Sequence, residues 1–548
     1  MALIKIALIM LVQNTVVFAQ DITLETAKGT IVGTTSQTVG LNKTYYAFKG
    51  IPYAEPPKRF QEAVPKAPWT GTLNCTYDKD VCVQGKNPII GSEDCLFLSV
   101  YTTSLTGATP VIVFIHGGYF TLGNSSYEGK GPDFFLDEGV VFVMLQYRLG
   151  LFGFITTEDS ANPGNWGLKD QVLALQWVRD NIQYFGGDPT KVTLWGQSVG
   201  GASVGYHLVS NRSQGLFHGA IMESGTSLSS FGFNRRISQT ILLTATQLGK
   251  LSLSIDGLVQ QLKTVPYKDL QSAAYTASFA VALRNPLAGL FYGVVSEEYH
   301  NKTFFTGRCD TLLREGKFAK VPILLGTTSQ EGRFVGSTSP SDVLSGLVRS
   351  YFLTFDILPN RLPPPDLATS LLTRSIVGTK IKYHFAGLSP IGLTNDELVR
   401  LLSVDQWVRP AVEFARQVIQ HGVDVYMYSF SYKGVLGRNT NATGVAHSED
   451  LAYLFNTANG IGSGDDYLTR LRYVRFLCNF AKTKNPTPIT DQLFNNTIWT
   501  PVKNGTRREI NYLDIDRIIQ MKINMFDKDI HEYDKLYNDY GIGDYQTY

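Results

Sequence analysis

The sequence predicts an α/β fold built on a large, mostly parallel sheet with helices on both faces. Three observations carry this. Short β-branched runs recur along the chain and are apolar at nearly every position, the pattern of strands buried on both faces. A segment with helical apolar spacing lies between two of these runs, giving strand, helix, strand. The composition is that of a packed chain, 43% hydrophobic and 18% charged, with 49 Lys+Arg against 47 Asp+Glu. A disordered chain would carry fewer apolar residues and more net charge.

The strands are expected at Val111–Ile115, ending in His116-Gly117-Gly118, then at Val140–Leu145 and at Lys191–Trp195, ending at Gly196. Two more are expected at Val321–Leu325 and Val423–Phe430. Between the second and third, Leu168–Tyr184 places Val172, Leu175, Trp177, Val178 and Ile182 at helical spacing. Gly186-Gly187-Asp188-Pro189 then stops the helix. The span from 235 to 400 is richer in helical patterns and is expected to cap the sheet. Leu362 and the three prolines after it read as a local loop. At ~150 residues per domain the length would fit about three or four domains. With no repeat, low-complexity tract or long linker, one domain over 20–548 is expected instead.

Residues 1–19 carry Lys5, an apolar stretch Ile6–Val12 and a small-residue site ending at Ala19. This is the layout of a secretory signal peptide, and Gln13, Asn14 and Thr15 interrupt the run too early for a membrane span. No later stretch is long and apolar enough to span, so no stable membrane anchor is expected and the destination is extracellular. Eight N-x-S/T sequons agree with that route, at Asn42, Asn74, Asn124, Asn211, Asn301, Asn441, Asn495 and Asn504.

The net charge of +2 and the lack of a long basic run argue against nucleic-acid binding. The 51 glycines show no triplet period, which excludes collagen. Five cysteines, at 75, 82, 95, 309 and 478, are too few for a disulfide scaffold, and the odd count leaves at least one unpaired within the chain. No His/Cys cluster has zinc spacing, so no metal is called for.

Gly196-Gln197-Ser198-Val199-Gly200 fits G-x-S-x-G, and so does Gly201-Ala202-Ser203-Val204-Gly205. Only the first follows a strand and opens a helix, which is the setting of a nucleophile elbow. Ser203 is expected inside the helix. A serine hydroxyl needs a base, an orienting acid and donors for an oxyanion. The loop after Val111–Ile115 suits the last role through its backbone N–H groups, and Val199 adds another. His116 is read as bracing that loop. Chain order points to a late histidine as base. His447 stands in a glycine-containing loop after Val423–Phe430, whereas His421 sits at an expected helix end. Glu331 follows Val321–Leu325 on a loop, where an orienting acid belongs.

Taken together, these residues resemble the type-B carboxylesterase/cholinesterase family over nearly the whole chain from Gly29 to about Tyr537. The segments 48–54, 92–101, 146–153, 164–171, 185–189 and 216–225 are similar to its signatures in the same order. The resemblance implies an α/β-hydrolase fold that hydrolyses carboxylic esters. It implies Ser198 as nucleophile, Glu331 as acid and His447 as base, with an oxyanion hole from the N–H groups of Gly118, Tyr119 and Val199. It further implies a Glu93–Arg148 salt bridge and a Cys82–Cys95 disulfide. The family's second disulfide is missing, with Leu248–Lys250 and Gln261–Lys263 where its cysteines usually sit. Cys75, Cys309 and Cys478 have no family partner.

Departures bear on the substrate. Tyr119 replaces the third glycine of the usual H-G-G-G, and Val199 replaces an alanine, which adds two side chains beside the acyl position. The Cys82–Cys95 loop holds no Trp, whereas cholinesterases place one there against the choline cation. The implied function is a secreted serine carboxylesterase acting on a small-molecule ester without a cofactor. The sequence sets no oligomeric state. Gln197 before the serine resembles insect juvenile hormone esterases, so a specialised hormone or odorant esterase is one alternative. A non-catalytic adhesion protein is another.

Overall fold

A computed structural model describes residues 20–234, 237–284, 292–334, 367–388, 393–438, 442–502 and 509–540. The expected leader at 1–19, the prolines at 363–365, and Asn441 and Asn504 lie outside them.

In chain order the strands begin with β1 (Asp21–Thr26), β2 (Gly29–Gln37), β3 (Thr44–Pro52), β4 (Thr72–Asn74), β5 (Gln84–Gly85) and β6 (Ile89–Ile90). They continue with β7 (Phe97–Thr102), β8 (Thr109–Ile115), β9 (Val141–Leu145), β10 (Gly187–Gln197) and β11 (Gly219–Glu223). The last are β12 (Ile323–Thr328), β13 (Val425–Phe430), β14 (Asn511–Ile515) and β15 (Gln520–Ile523).

Among the described residues, one 13-stranded sheet runs β1-β2-β3-β7-β9-β8-β10-β11-β12-β13-β14-β15, with β4 beside β2. From β9 to β14 every neighbouring pair is parallel, the pairs β1-β2, β2-β3, β3-β7, β7-β9 and β14-β15 are antiparallel, and β4 runs parallel to β2. This is the α/β-hydrolase architecture expected from the sequence, and β5 and β6 form a separate hairpin.

The continuous apolar runs are explained by two core layers. On β8, Val111, Val113 and Ile115 enter one layer while Ile112 and Phe114 enter the other. On β9, Val141, Val143 and Leu145 divide in the same way from Phe142 and Met144. Successive side chains point to opposite faces, so a strand covered on both sides must be apolar throughout. The helix Trp166–Asn181 covers the first face with Val172 and Leu175. The helix Asp465–Thr483 covers the second with Tyr473, Phe476 and Leu477.

Several boundaries differ from the expected ones. The helix expected at Leu168–Tyr184 runs from Trp166 to Asn181 and tightens into a 3₁₀ turn over Ile182–Phe185. Gly186, at φ 73°, ends that turn in a left-handed conformation, as a stop signal should. Strand β10 starts at Gly187 rather than Lys191 because the chain turns directly into the sheet, with an irregularity between Gly187 and Val192. The helices Ile237–Gln247, Ile255–Leu262 and Tyr267–Arg284 fall in the segment expected to cap the sheet. Ile237, Ile241, Leu258 and Leu262 join them to the first core layer. Of the described sequons, Asn42, Asn74, Asn211, Asn301 and Asn495 are exposed and Asn124 is half-buried. No helix of the described residues is long and apolar enough to cross a membrane.

Candidate active site

The parallel strands carry the site at their carboxyl ends, where open α/β sheets place ligands. Strand β10 ends at Gln197 and the helix Val199–Val209 begins two residues later. Ser198 makes the turn at φ 59°, ψ −124°, a region costing a non-glycine residue about 1–3 kcal/mol. Two backbone bonds hold it there. The Ser198 N–H donates to Glu223 O at 2.8 Å, and Ser198 O accepts from the Ala202 N–H at 3.0 Å. Gly200 permits the turn to press on the neighbouring strand, since a Cβ there would lie 2.2 Å from Ile115 O. Ser203 lies within the helix, and its hydroxyl donates to Val199 O at 3.0 Å.

Glu331 follows β12 and His447 lies in the loop after β13. The structure brings both to Ser198. The His447 Nε2 is 3.0 Å from Ser198 Oγ, and its Nδ1 is 2.7 Å from Glu331 Oε2. Glu331 is itself fixed, because its Oε1 accepts from the Thr328 N–H at 2.8 Å. The His447 N–H also donates to Glu331 O at 3.3 Å. Glu331 is wholly buried and Ser198 is 5% exposed. In that setting Nδ1–H donates to the carboxylate, which leaves Nε2 to accept from the serine hydroxyl.

The loop after β8 packs against the elbow. A Cβ on Gly117 would come within 2.9 Å of Ser198 Cβ. Gly118 stands at φ 112°, a conformation that only glycine adopts easily, and its carbonyl accepts from the N–H groups of Thr121 and Leu122, both at 3.0 Å. Val199 is the first residue of its helix, so its N–H has no intrahelical acceptor. Val199 is wholly buried in the core, whereas Tyr119 is 36% exposed.

His116 braces this loop. Its ring stacks on Tyr147 with centroids 4.5 Å apart, and its Nδ1 is 2.8 Å from Gly117 O. The Tyr147 hydroxyl donates to His116 O at 2.9 Å. Burial, with Lys130 nearby, pushes the His116 imidazole down to about 3. His421 follows the helix Arg409–Ile419, but its Nε2 faces Arg314 O at 3.0 Å, so it serves a neighbouring segment.

Three further residues support the site. Trp407 lies in a π-helical turn, Ser403–Val408, and packs on His447 at 5.0 Å between ring centroids. Such turns often mark functional sites. Gln197 Nε2 donates to Ser448 Oγ at 2.7 Å. Gln84 donates to Cys82 O at 3.0 Å and to Gly123 O at 2.9 Å, and accepts from the Gly123 N–H at 2.9 Å.

The expected Glu93–Arg148 salt bridge is not formed. Arg148 Nε and Nη2 bind the two oxygens of Asp170, each at 2.7 Å. Glu93 is instead gripped by Arg59, at 2.6 Å from Nε and 2.5 Å from Nη2. Each guanidinium takes its nearest carboxylate in a two-pronged geometry, and Asp170 on the helix Trp166–Asn181 outcompetes Glu93 for Arg148. Cys82 and Cys95 form the expected disulfide, with S–S 2.08 Å. Cys75, Cys309 and Cys478 are free and buried. Burial pushes the thiols of Cys75 and Cys309 up to about 12. Among the described residues no group of His, Cys, Asp and Glu could hold a metal ion.

The chain matches the carboxylesterase family model over residues 20–532. It is 32% identical to juvenile hormone esterase of Tribolium castaneum over 499 residues, 84% of each chain. It is 30% identical to human carboxylesterase 5A, over 84% of this chain and 81% of the relative. Venom carboxylesterase-6 of Apis mellifera is also 30% identical, over 80% and 82%. The crystal structure of juvenile hormone esterase from Manduca sexta, with OTFP covalently attached, superposes with a TM-score of 0.81 at 27% identity. That superposition covers 95% of this chain and all of that one. The chain belongs to the carboxylesterase family and is a carboxylic-ester hydrolase.

Proposed function

We propose that this protein is a secreted serine esterase, with Ser198 as nucleophile, His447 as general base and Glu331 as orienting acid. The continuous chain from Glu331 Oε2 through His447 to Ser198 Oγ, at 2.7 and 3.0 Å, carries this reading. Nε2 takes the hydroxyl proton as Ser198 Oγ attacks the ester carbonyl. Glu331 stabilises the imidazolium that results. The oxyanion forms against the N–H groups of Gly118, Tyr119 and Val199. Nε2–H then protonates the departing alcohol, and water repeats the sequence on the acyl-enzyme. Residues 20–548 act as one hydrolase domain after removal of 1–19. The exposed sequons at Asn42, Asn74, Asn211, Asn301 and Asn495, with half-buried Asn124, are glycan acceptors on the secretory route, joined by Asn441 and Asn504.

The likeness to two juvenile hormone esterases favours a narrower second reading, a specialised hydrolase of a hydrophobic ester. No observation favours an adhesion role.

The test is hydrolysis of p-nitrophenyl esters from acetate to octanoate by the secreted protein and by Ser198→Ala. A nitrophenol burst in the wild type, absent in the variant, is expected. Organophosphate labelling at Ser198 without turnover of any of these esters would favour the specialist. The absence of both burst and labelling in well-folded protein would overturn the assignment.

A further inference from the structure

Behind His447 two carboxyl side chains meet. Glu223 ends strand β11, and its backbone carbonyl is the acceptor for the Ser198 N–H. Asp450 stands three residues after His447. Both are 0% exposed, and their carboxyl groups are in hydrogen-bond contact. One oxygen of each has a neutral donor. Trp195 Nε1 donates to Glu223 Oε2 at 2.8 Å, and the Tyr473 hydroxyl donates to Asp450 Oδ2 at 3.3 Å. The Tyr428 hydroxyl backs Tyr473 at 2.8 Å. The other oxygens, Glu223 Oε1 and Asp450 Oδ1, have no donor among the described residues.

Two carboxyl groups in contact inside a dry site cannot both ionise. A proton shared between the two satisfies the pair. The titratable groups facing Glu223 are Asp450, Glu331, Tyr428 and Tyr473. Those facing Asp450 are Glu223, Glu331, His447, Tyr428 and Tyr473. No Lys or Arg stands among them. Burial raises both carboxyls, and the charge of Asp450 raises Glu223 further. The proton therefore resides on Glu223 and the charge on Asp450.

We propose that Glu223 and Asp450 form a one-proton carboxyl pair that sets a second anion beside His447, with Asp450 as a positioning residue and Glu223 as the group that limits the pair to one charge. The proposal rests on the assignment of Ser198, His447 and Glu331 above. The imidazolium formed during acyl transfer then meets Glu331 through a hydrogen bond and Asp450 through space. A fully ionised pair would place two buried anions in contact beside the Glu331 side chain. The proton on Glu223 prevents this while leaving the charge on Asp450, the member of the pair nearer to His447 in sequence.

The test is the pH profile of kcat/KM for a p-nitrophenyl ester, using the full chain and two isosteric variants. Loss of a nearby anion disfavours the imidazolium. In Asp450→Asn the acid limb therefore moves to lower pH by about one unit, and kcat falls about ten-fold. In Glu223→Gln the amide still donates to Asp450, so the limb moves by a smaller step. Infrared difference spectra at neutral pH give a readout independent of turnover and of how Asp450→Asn folds. A protonated-carboxyl C=O band present in the wild type is lost in Glu223→Gln. A profile of Asp450→Asn that superposes on the wild type would overturn the proposal. So would a limb moved as far by Glu223→Gln, or the absence of that infrared band. Burst and labelling lost with Ser198→Ala are the separate check on the triad, so either assignment can fail alone.

Discussion

Gln197 Nε2 donates to Ser448 Oγ at 2.7 Å, which ties the residue before the elbow serine to the residue after His447. The two lie 251 positions apart in the chain. Gln197 is 4% exposed, and Ser448 adopts φ 66°. The bond therefore spans the two loops whose spacing sets the distance from Ser198 Oγ to His447 Nε2. Such a bond contributes about 0.5–1.5 kcal/mol net. Gln197→Leu and Ser448→Ala are each expected to lower kcat by up to about ten-fold with KM little changed. Their effects should not add, because both remove one contact. A double variant whose loss equals the sum of the two would sink the idea.

Arg148 and Glu93 belong to different ion pairs, and the two pairs differ in burial. The Arg148 and Asp170 side chains are 5% and 0% exposed, while those of Arg59 and Glu93 are 15% and 29% exposed. Removing one partner of a buried pair leaves an uncompensated charge and costs about 3–5 kcal/mol. A more exposed pair contributes about 0–1 kcal/mol. Urea unfolding of Arg148→Met and Glu93→Gln should therefore give a large and a small loss. Equal losses would mean that Glu93 supports Arg148 after all.

His116 and His207 predict a pH window of acid sensitivity. Burial pushes both imidazoles from 6.5 down to about 3. Between those values the unfolded chain binds protons that the folded chain does not. Stability then falls as pH drops, at about 1.4 kcal/mol per pH unit for each group. Buried carboxyls with raised proton affinity, such as Glu223, act in the opposite sense, so the total slope mixes both. The variant His207→Gln isolates one term. Across the window its unfolding free energy should depend on pH less steeply than the wild type, by about one proton. An unchanged slope would show that His207 already carries its proton in the folded state.

The two-faced strands are legible in the sequence because each apolar run answers to both core layers at once, as Phe114 and Ile115 do on adjacent positions. Strand ends are less legible. Strand β12 starts at Ile323 rather than Val321 because the ladder begins where Asp424 O accepts the Ile323 N–H. A neighbour's reach decides that, not apolar content. The marginal strands β1, β2 and β15 are partly exposed and short on apolar residues, so no run marks them. Ser198 stands out because the elbow requires glycines at fixed offsets around it. The partner of Arg148 does not, since an ion pair between distant segments leaves no local pattern. Trp407 is hidden for the same reason, as its place comes from what the fold stacks against His447.

Gln84 links the Cys82–Cys95 disulfide to the loop that carries Gly118, and this separates two kinds of damage. The disulfide closes a span of 13 residues in sequence, for which about 3 kcal/mol of stability is expected. Gln84 makes three bonds, to Cys82 O and to both polar groups of the Gly123 backbone. Gly123 in turn lies against His116, with a Cβ there only 2.3 Å from Nδ1. A shift of Gly123 therefore moves the whole turn from Gly117 onward. Loss of one oxyanion donor typically costs about 10²–10³ in rate, and a displaced donor costs part of that. Gln84→Met is expected to lower kcat at least about ten-fold while leaving the disulfide intact. The pair Cys82→Ser with Cys95→Ser should lose stability first, and lose rate only as far as Gln84 is released. Measuring kcat and urea midpoints for both variants distinguishes the roles. Full rate in Gln84→Met would show that the loop after β8 holds its shape through His116 and Tyr147 alone.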